Sequence, residues 1–304
     1  MSIFLIIIVS LFFTGIVNRT KSIFSGRKGP DIFQPLKDVL RLLKKGSVYS
    51  ATSSFIFQIA PAVYFSTVFI AALFIPFGEN RGFISFQFDF VLFAYLLALG
   101  KFFNVISAMD TGSSFEGMGA SREALYSMLA EPAFFITIGS LGLLSGYSSF
   151  SRIFSSIHYS ASSSPVISYS LGILASIVFL FLGLIENSRV PVDDPKTHLE
   201  LTMIHEVMIL DNSGFDLGLI LYTGFLKFAL YGALIANLFL QNTGYIIINL
   251  LIFFSLQVLF ALTVGTIESF MARFRMNQNP QIILMLSSVS LLIFLGVMII
   301  TGKI

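Results

Sequence analysis

QIILMLSSVSLLIFLGVMIIT, residues 281–301, carries no charged side chain. About 20 mostly apolar residues are what an α-helix needs to cross the hydrocarbon of a bilayer. Seven further windows pass the same test, roughly 2–17, 55–77, 86–108, 124–146, 166–186, 217–240 and 244–267. The chain therefore reads as an all-α integral membrane protein of about eight transmembrane helices, with residues 1–304 forming a single polytopic membrane domain. Only 11% of the residues are charged, against roughly 25% in a soluble domain. The window at 2–17 is the shortest. Its leader MSIF has no positive charge and no small-residue cleavage pattern follows, so it is expected to stay as a span.

A net charge of +2 argues against a nucleic-acid partner, because tracking phosphates needs a clustered basic surface. The chain has no cysteine and three histidines, which rules out disulfides and any cysteine-held iron–sulfur cluster within it. Electrons, if they are involved, must travel in a partner.

Lys and Arg between the windows set the expected orientation. Arg19, Lys21, Arg27, Lys28, Lys37, Arg41, Lys44 and Lys45 fall in the first loop, with Arg122, Arg189, Lys196, Arg273 and Arg275 in alternate loops after it. The other side receives Arg81, Arg152 and Lys303. This asymmetry predicts cytoplasmic main loops, both termini outside, and a multi-pass protein of the inner (cytoplasmic) membrane. Lys101 and Lys227 are left inside predicted helices. The stretch 147–165 is serine-rich and reads as a mobile external connector, with His158 a solvated loop histidine.

Acids gather on the predicted cytoplasmic side: Asp31 and Asp38, then Asp110, Glu116 and Glu123, then Glu268. They suit a polar docking surface or a proton entry, and for Asp31, Asp38 and Glu123 ordinary solvation explains as much. Glu131 falls about seven residues into the fourth span, where an ionised group costs on the order of 2.5–3.5 kcal/mol unless it meets a partner, water or a proton. Pro132 follows it and is expected to kink the helix, freeing a carbonyl. Lys101 and Lys227 are the candidate counter-charges for Glu131.

The densest knot of ionisable groups is ENSRVPVDDPKTHLELTMIHEVMILD, residues 186–211. VPVDDP cannot be helical throughout, since each proline pushes its predecessor toward extended geometry. Thr197 and Glu200 form a capping-box pattern, which predicts an amphipathic helix in the third cytoplasmic loop running to about 210. His198, Thr202 and His205 share one face of that helix, beside an apolar strip of Leu201, Ile204 and Met208. His205–Glu206 is not a zincin pair, because Ile209 stands where the second ligand would be; no metal site is expected. DTGSSFEGMGASRE (110–123) lacks a nucleotide-loop pattern and reads as a turn into the fourth span. No serine sits in a nucleophile-elbow sequence, so no catalytic residue is expected. Candidates for a proton path or coupling are Glu131, Glu186, Asp193, Asp194, Glu200, Glu206, Asp211, Lys101 and Lys227. Arg122, Arg189, Asp110, Glu116, His198, His205, Arg27 and Lys28 are candidates for structural or docking roles.

Four stretches together resemble the H-component family of respiratory complex I, the NADH-quinone oxidoreductase: GRKGPDIFQPLKDVLRLLKK, FFNVISAMDTGSSFEGMGASREALYSMLAEPA, ENSRVPVDDPKTHLELTMIHEVMILDNSG and ESFMARFRM. The similarity is closest to the hydrogenase-4 and formate hydrogenlyase subunit 4-like branch. It implies an eight-span subunit at the heel of a membrane arm, where a hydrophilic redox arm docks and a line of buried charges begins. By motif, Glu131 with Arg122, and Glu186 with Arg189, Asp193 and Glu200, fall where that family places coupling charges; Asp211 stands where the complex I branch has Glu. The resemblance implies as partners hydrogenase-like large and small subunits, an iron–sulfur protein and antiporter-like membrane subunits, with nickel–iron and iron–sulfur centres in those partners and no cofactor in this chain. The complex I branch would add quinone as a ligand; the HLELTMIHE segment departs from that branch and tells against it.

Two other readings stand beside this one. A freestanding ion or solute transporter fits the intramembrane Glu and Lys, although the windows show no inverted repeat. A purely structural anchor would use its buried charges only to satisfy one another.

Overall fold

A computed structural model of the chain describes residues 2–78, 80–163, 165–194, 203–240 and 243–302, with the side chains of 158–168 outside the description. Among the described residues eight helices are long and apolar enough to cross a membrane: α1 (Ser2–Phe24), α3 (Phe55–Ala72), α4 (Asp89–Asp110), α5 (Ser114–Ser145), α7 (Pro165–Glu186), α9 (Gly214–Phe239), α10 (Ile246–Phe270) and α11 (Asn279–Ile300). Between them lie α2 (Gln34–Leu42), α6 (Phe150–Ser163) and the single turn α8 (His205–Met208). Each predicted window thus became one spanning helix.

α9 is the hub, packing against α1, α3, α7 and α10. It is also the most deeply buried span, with 67% of its apolar window inside the protein against 28% for α10 and α11. Those two outer helices pack on α1 and α5 respectively and turn broad apolar faces outward.

Loops are tied together at both ends. At one end Ser54 N–H donates to Asp110 (2.7 Å), Val48 N–H to Ser213 (2.9 Å), Asp211 N–H to Glu116 (3.1 Å) and Phe274 N–H to the Pro191 carbonyl (2.9 Å). This loop-rich end gathers residues 25–54, 111–113, 187–194, 203–213 and 271–278. At the opposite end Phe88 N–H donates to the Ser148 carbonyl (2.8 Å) and Gly78 N–H to Asn237 (2.9 Å).

Three local expectations are corrected. The stretch 110–123 is not a turn: α5 begins at Ser114, just after Gly112 reverses the chain at φ +71°. The first turns of α5 bury Glu116, Gly119, Ala120 and Glu123, and the same face continues through Ala130 and Thr137. Polar composition concealed this face, because its buried residues are small or acidic rather than large and apolar. The stretch 147–165 is not a loose connector either. Phe150, Ile153, Phe154 and Ile157 recur at helical spacing and are all buried, folding 150–163 into α6. His158 lies on α6, and its expected solvation falls outside the described side chains.

The third correction concerns the amphipathic helix. Thr197, His198, Glu200 and Thr202 lie outside the described residues. Of the described remainder only His205–Met208 is helical, because the Asp193 carboxylate takes the N–H groups of both Ile204 and His205 (3.2 Å each) and bends the chain around itself. Pro132, expected to kink its segment, sits within a helix that runs on through it to Ser145.

α8 is held against α5 by close backbone approach. A Cβ added at Gly119 would lie 2.7 Å from the Ile204 carbonyl oxygen, which is backbone and cannot swing aside. Gly119→Ala should therefore push residues 203–208 off α5 at a cost of about 1–3 kcal/mol. Thermal unfolding in detergent, with proteolysis mapped at 203–208, checks this; an unchanged melting point contradicts it.

Candidate functional site

α4, α5, α7 and α9 each carry one charge to a common point. Lys101 on α4 reaches Glu123 on α5 and Glu186 at the end of α7, each at 2.9 Å. Lys227 on α9 approaches the same Glu186 carboxylate at 2.7 Å and also donates to the Glu186 backbone carbonyl at 2.9 Å. All four side chains are buried or nearly so, with Lys227 fully enclosed. The order is Glu123, Lys101, Glu186, Lys227, alternating in sign. Burying four charges carries a desolvation cost of several kcal/mol per ion, offset only when each charge meets an opposite one with good geometry. The alternation supplies this.

Glu131 does not pair with either lysine. It is exposed on the outward side of α5 and makes no ion pair among the described residues. It helps line a cavity of about 590 Å³ whose wall also includes Lys101, Glu186 and Tyr231. A second cavity, about 240 Å³, approaches Glu186 from the other side and is lined by Tyr64, Arg189, His205 and Glu206. Glu186 is thus common to both, and the lysines assigned to Glu131 from sequence belong to Glu186.

A second ionic knot lies nearby. Glu268, its side chain wholly buried, forms an ion pair with Lys21 at 2.8 Å and accepts from Arg189 at 3.3 Å, and the Arg189 guanidinium lies over the Phe228 ring at 5.6 Å. A third centres on Asp193, which meets Arg273 at 2.8 Å and takes N–H bonds from Asp194, Ile204 and His205. Asn279 at the start of α11 donates to the Val192 carbonyl (3.0 Å), pinning the same segment.

The remaining candidates are dispersed. Arg122 donates to the Met203 carbonyl (3.1 Å) rather than to a carboxylate. Asp110 and Glu116 accept backbone amides and brace loops. Asp194 and Glu206 are half-buried, and Asp211, Arg27 and Lys28 are exposed. Asp31, exposed, is held below the usual carboxylate range by its hydrogen bond to Lys37. Among the described residues no group of three or more His, Asp or Glu side chains is placed to hold a metal ion.

Sequence reasoning missed Glu123, Lys21, Arg273, Asn279 and Glu268 as members of these networks. For Glu123 a signal existed: it lies seven residues before Ala130 and seven after Glu116, on the stripe of small residues that α5 buries.

Burial pushes the Asp193 carboxyl up to about 6, against the pull of Arg273 and three backbone amides. Burial also pushes the His205 imidazole below its usual 6.5. The two act oppositely on stability. A carboxyl with a raised folded pKa takes its proton earlier when folded, so Asp193 adds stability as pH falls from about 6 toward 3.8. His205 protonates earlier in the unfolded chain and removes stability as pH falls below 6.5. In His205→Gln protein only the first effect remains. Amide-exchange protection at Ile204 and Val207, referenced to α9, should then rise between pH of about 7 and about 5; a fall would mean that the Arg273 pair outweighs burial.

The fold is shared with a chain of a solved membrane complex. It matches, with a TM-score of 0.79, a chain in the structure of the membrane-bound sulfane sulfur reductase, an archaeal respiratory membrane complex, over 97% of this chain and 96% of that one at 19% identity. The chain belongs to the NADH dehydrogenase family, of the complex I H-component type, whose model matches residues 1–301. Hydrogenase-4 component C of Escherichia coli (strain K12) is 29% identical over 78% of this chain and 72% of its own length. Formate hydrogenlyase subunit 4 of the same organism is 26% identical over 88% of each chain.

Proposed function

We propose that this chain is the membrane subunit of a hydrogenase-4- or formate-hydrogenlyase-like, complex I-related energy-converting complex, in which it anchors a peripheral redox module and couples electron transfer to ion translocation. The observation that carries the coupling role is Glu186, held between Lys101 and Lys227 and bordering a cavity on each side. The loop-rich end is the docking face. It carries Arg27, Lys28 and Asp211 in exposed positions, and its excess of Lys and Arg favours a cytoplasmic setting, with both termini outside an inner membrane. Nickel–iron and iron–sulfur centres belong to hydrogenase-like large and small subunits and an iron–sulfur protein, and antiporter-like membrane subunits continue the charge line.

A charge or proton change in the docked module acts first on Arg189, Asp193, Asp194 and Glu200. Arg189 shares Glu268 with Lys21 and lines the smaller cavity with Glu186, so its displacement alters the field at the Glu186 carboxylate. Glu186 then shifts its balance between Lys101 and Lys227, and the larger cavity offers Glu131 as the next group to take or release a proton. That cavity is roomy enough for water, and its three charged lining groups, Lys101, Glu186 and Glu131, supply the polar partners a bridging water needs.

Glu131→Gln in the assembled complex tests the reading. Co-purification of the partner subunits should be unchanged, while coupled ion uptake into vesicles falls at least tenfold, about 1.4 kcal/mol in barrier terms. Normal translocation by the assembled variant refutes the relay. A chain that moves ions alone in liposomes, with no redox subunit co-purifying, would instead establish a freestanding transporter.

A further inference from the structure

At the end of the bundle away from the charge ladder, the turn before α4 and the turn from α5 into α6 enclose a polar cavity of about 340 Å³. Its volume falls in the range of ligand pockets, ~300–1,000 Å³. Arg81 and Arg152 both line it, together with Ser85, Gln87, Ser148 and Ser149. Among the described residues neither arginine meets a carboxylate. Arg152 is instead steadied over the Tyr147 ring at 5.5 Å, which leaves its N–H groups available. The buried acid at the start of α4, Asp89, accepts the N–H of Phe150 at 2.8 Å through one carboxylate oxygen, and its other oxygen is buried without a hydrogen-bond partner among the described residues.

The rim of this cavity is apolar and outward-facing. Phe86 and Tyr147, which line it, are 44% and 46% exposed, and Phe83, between Arg81 and Ser85 in the chain, is 81% exposed. Phe88 holds a left-handed backbone (φ +63°), rare for a bulky residue, and remains 57% exposed. Its N–H bond to Ser148 at 2.8 Å joins the two turns that form the cavity. The setting is the terminal level of the spans, where a headgroup meets aromatic side chains. Two guanidinium groups, hydroxyl donors and an apolar rim make up the recognition chemistry of a phosphate carrying acyl chains: charge-assisted bonds to the oxygens and aromatic surface for the tails.

We propose that this cleft binds a phosphate group, as the headgroup of an anionic phospholipid or as free phosphate. The complex, purified in detergent, is titrated with phosphatidylglycerol, phosphatidylcholine and inorganic phosphate, and bound lipid is counted by native mass spectrometry. Phosphatidylglycerol should bind in preference to phosphatidylcholine. R81Q/R152Q should weaken it roughly 30-fold, since each arginine near the membrane surface contributes about fivefold. If inorganic phosphate competes, the free ion suffices; if it does not, the lipid diester is the ligand. Should the double variant fail to assemble, R81Q and R152Q singly must each weaken binding about fivefold. Equal binding of the two lipids, or an affinity unaltered by loss of the arginines, overturns the proposal.

Discussion

Glu186→Ala should lower the stability of the assembled chain by about 3–5 kcal/mol, read as a drop in the melting point in detergent and in yield. The substitution removes the carboxylate 2.9 Å from Lys101 and 2.7 Å from Lys227. Lys101 keeps Glu123 at 2.9 Å, but Lys227 is left fully enclosed with, among the described residues, only the residue-186 carbonyl to accept from it. Removing one partner of a buried pair is costly because the other charge is stranded, whereas replacing both by apolar groups of similar volume is often neutral. Glu186→Leu with Lys227→Met should therefore recover most of the lost stability. A double variant no better than the single one would mean that the lysine was not the cause. The same protein separates coupling from architecture: under the coupling role it assembles but no longer translocates, and unchanged coupled turnover would make the ladder purely structural.

Glu268→Ala is expected to be comparably severe. This carboxylate is inaccessible to solvent and answers two cations, Lys21 on α1 and Arg189 in the segment after α7. Without it Arg189 keeps the Phe228 face, a contact of about 2 kcal/mol in a desolvated site, against a loss of about 3–5 kcal/mol from breaking the buried pair. Glu268→Gln, which keeps the hydrogen-bonding shape, should lose less. The exposed Lys37–Asp31 pair gives the contrast: at 2.9 Å it has equally short geometry, yet solvent screens it, so its removal should have far less effect on stability. Equal effects of Glu268→Ala and Asp31→Ala would show that burial does not control these energies.

Spanning helices were legible because membrane crossing imposes a length and a composition together, and the run at 281–301 satisfies both without any long-range information. The loop helices were not. α6 is written in serines punctuated by Phe150, Ile153, Phe154 and Ile157, so its average composition describes a connector while its periodicity describes a buried face. Pairing was the hardest to read. Lys101, Lys227 and Glu131 all lie within spans, and one-dimensional spacing gives no reason to join the lysines to Glu186 instead. The deciding geometry is rotational: Ala130 is buried on the inner face of α5, whereas its neighbour Glu131, one residue or about 100° further round, is exposed and borders the cavity that Lys101 lines without pairing with it. The same geometry carries Glu123 inward, seven residues before Ala130.

The length of α5 has a mechanical consequence. At 1.5 Å per residue its 32 residues extend for about 48 Å, against roughly 30 Å of hydrocarbon. Its first turns therefore stand clear of the bilayer as a lever arm, gripped at Glu116 by the Asp211 amide and braced at Gly119 by the Ile204 backbone. Under the proposed coupling, a body pressing on those outer turns would tilt the rod as one piece and deliver torque two turns further in, at Glu123 and its bond to Lys101.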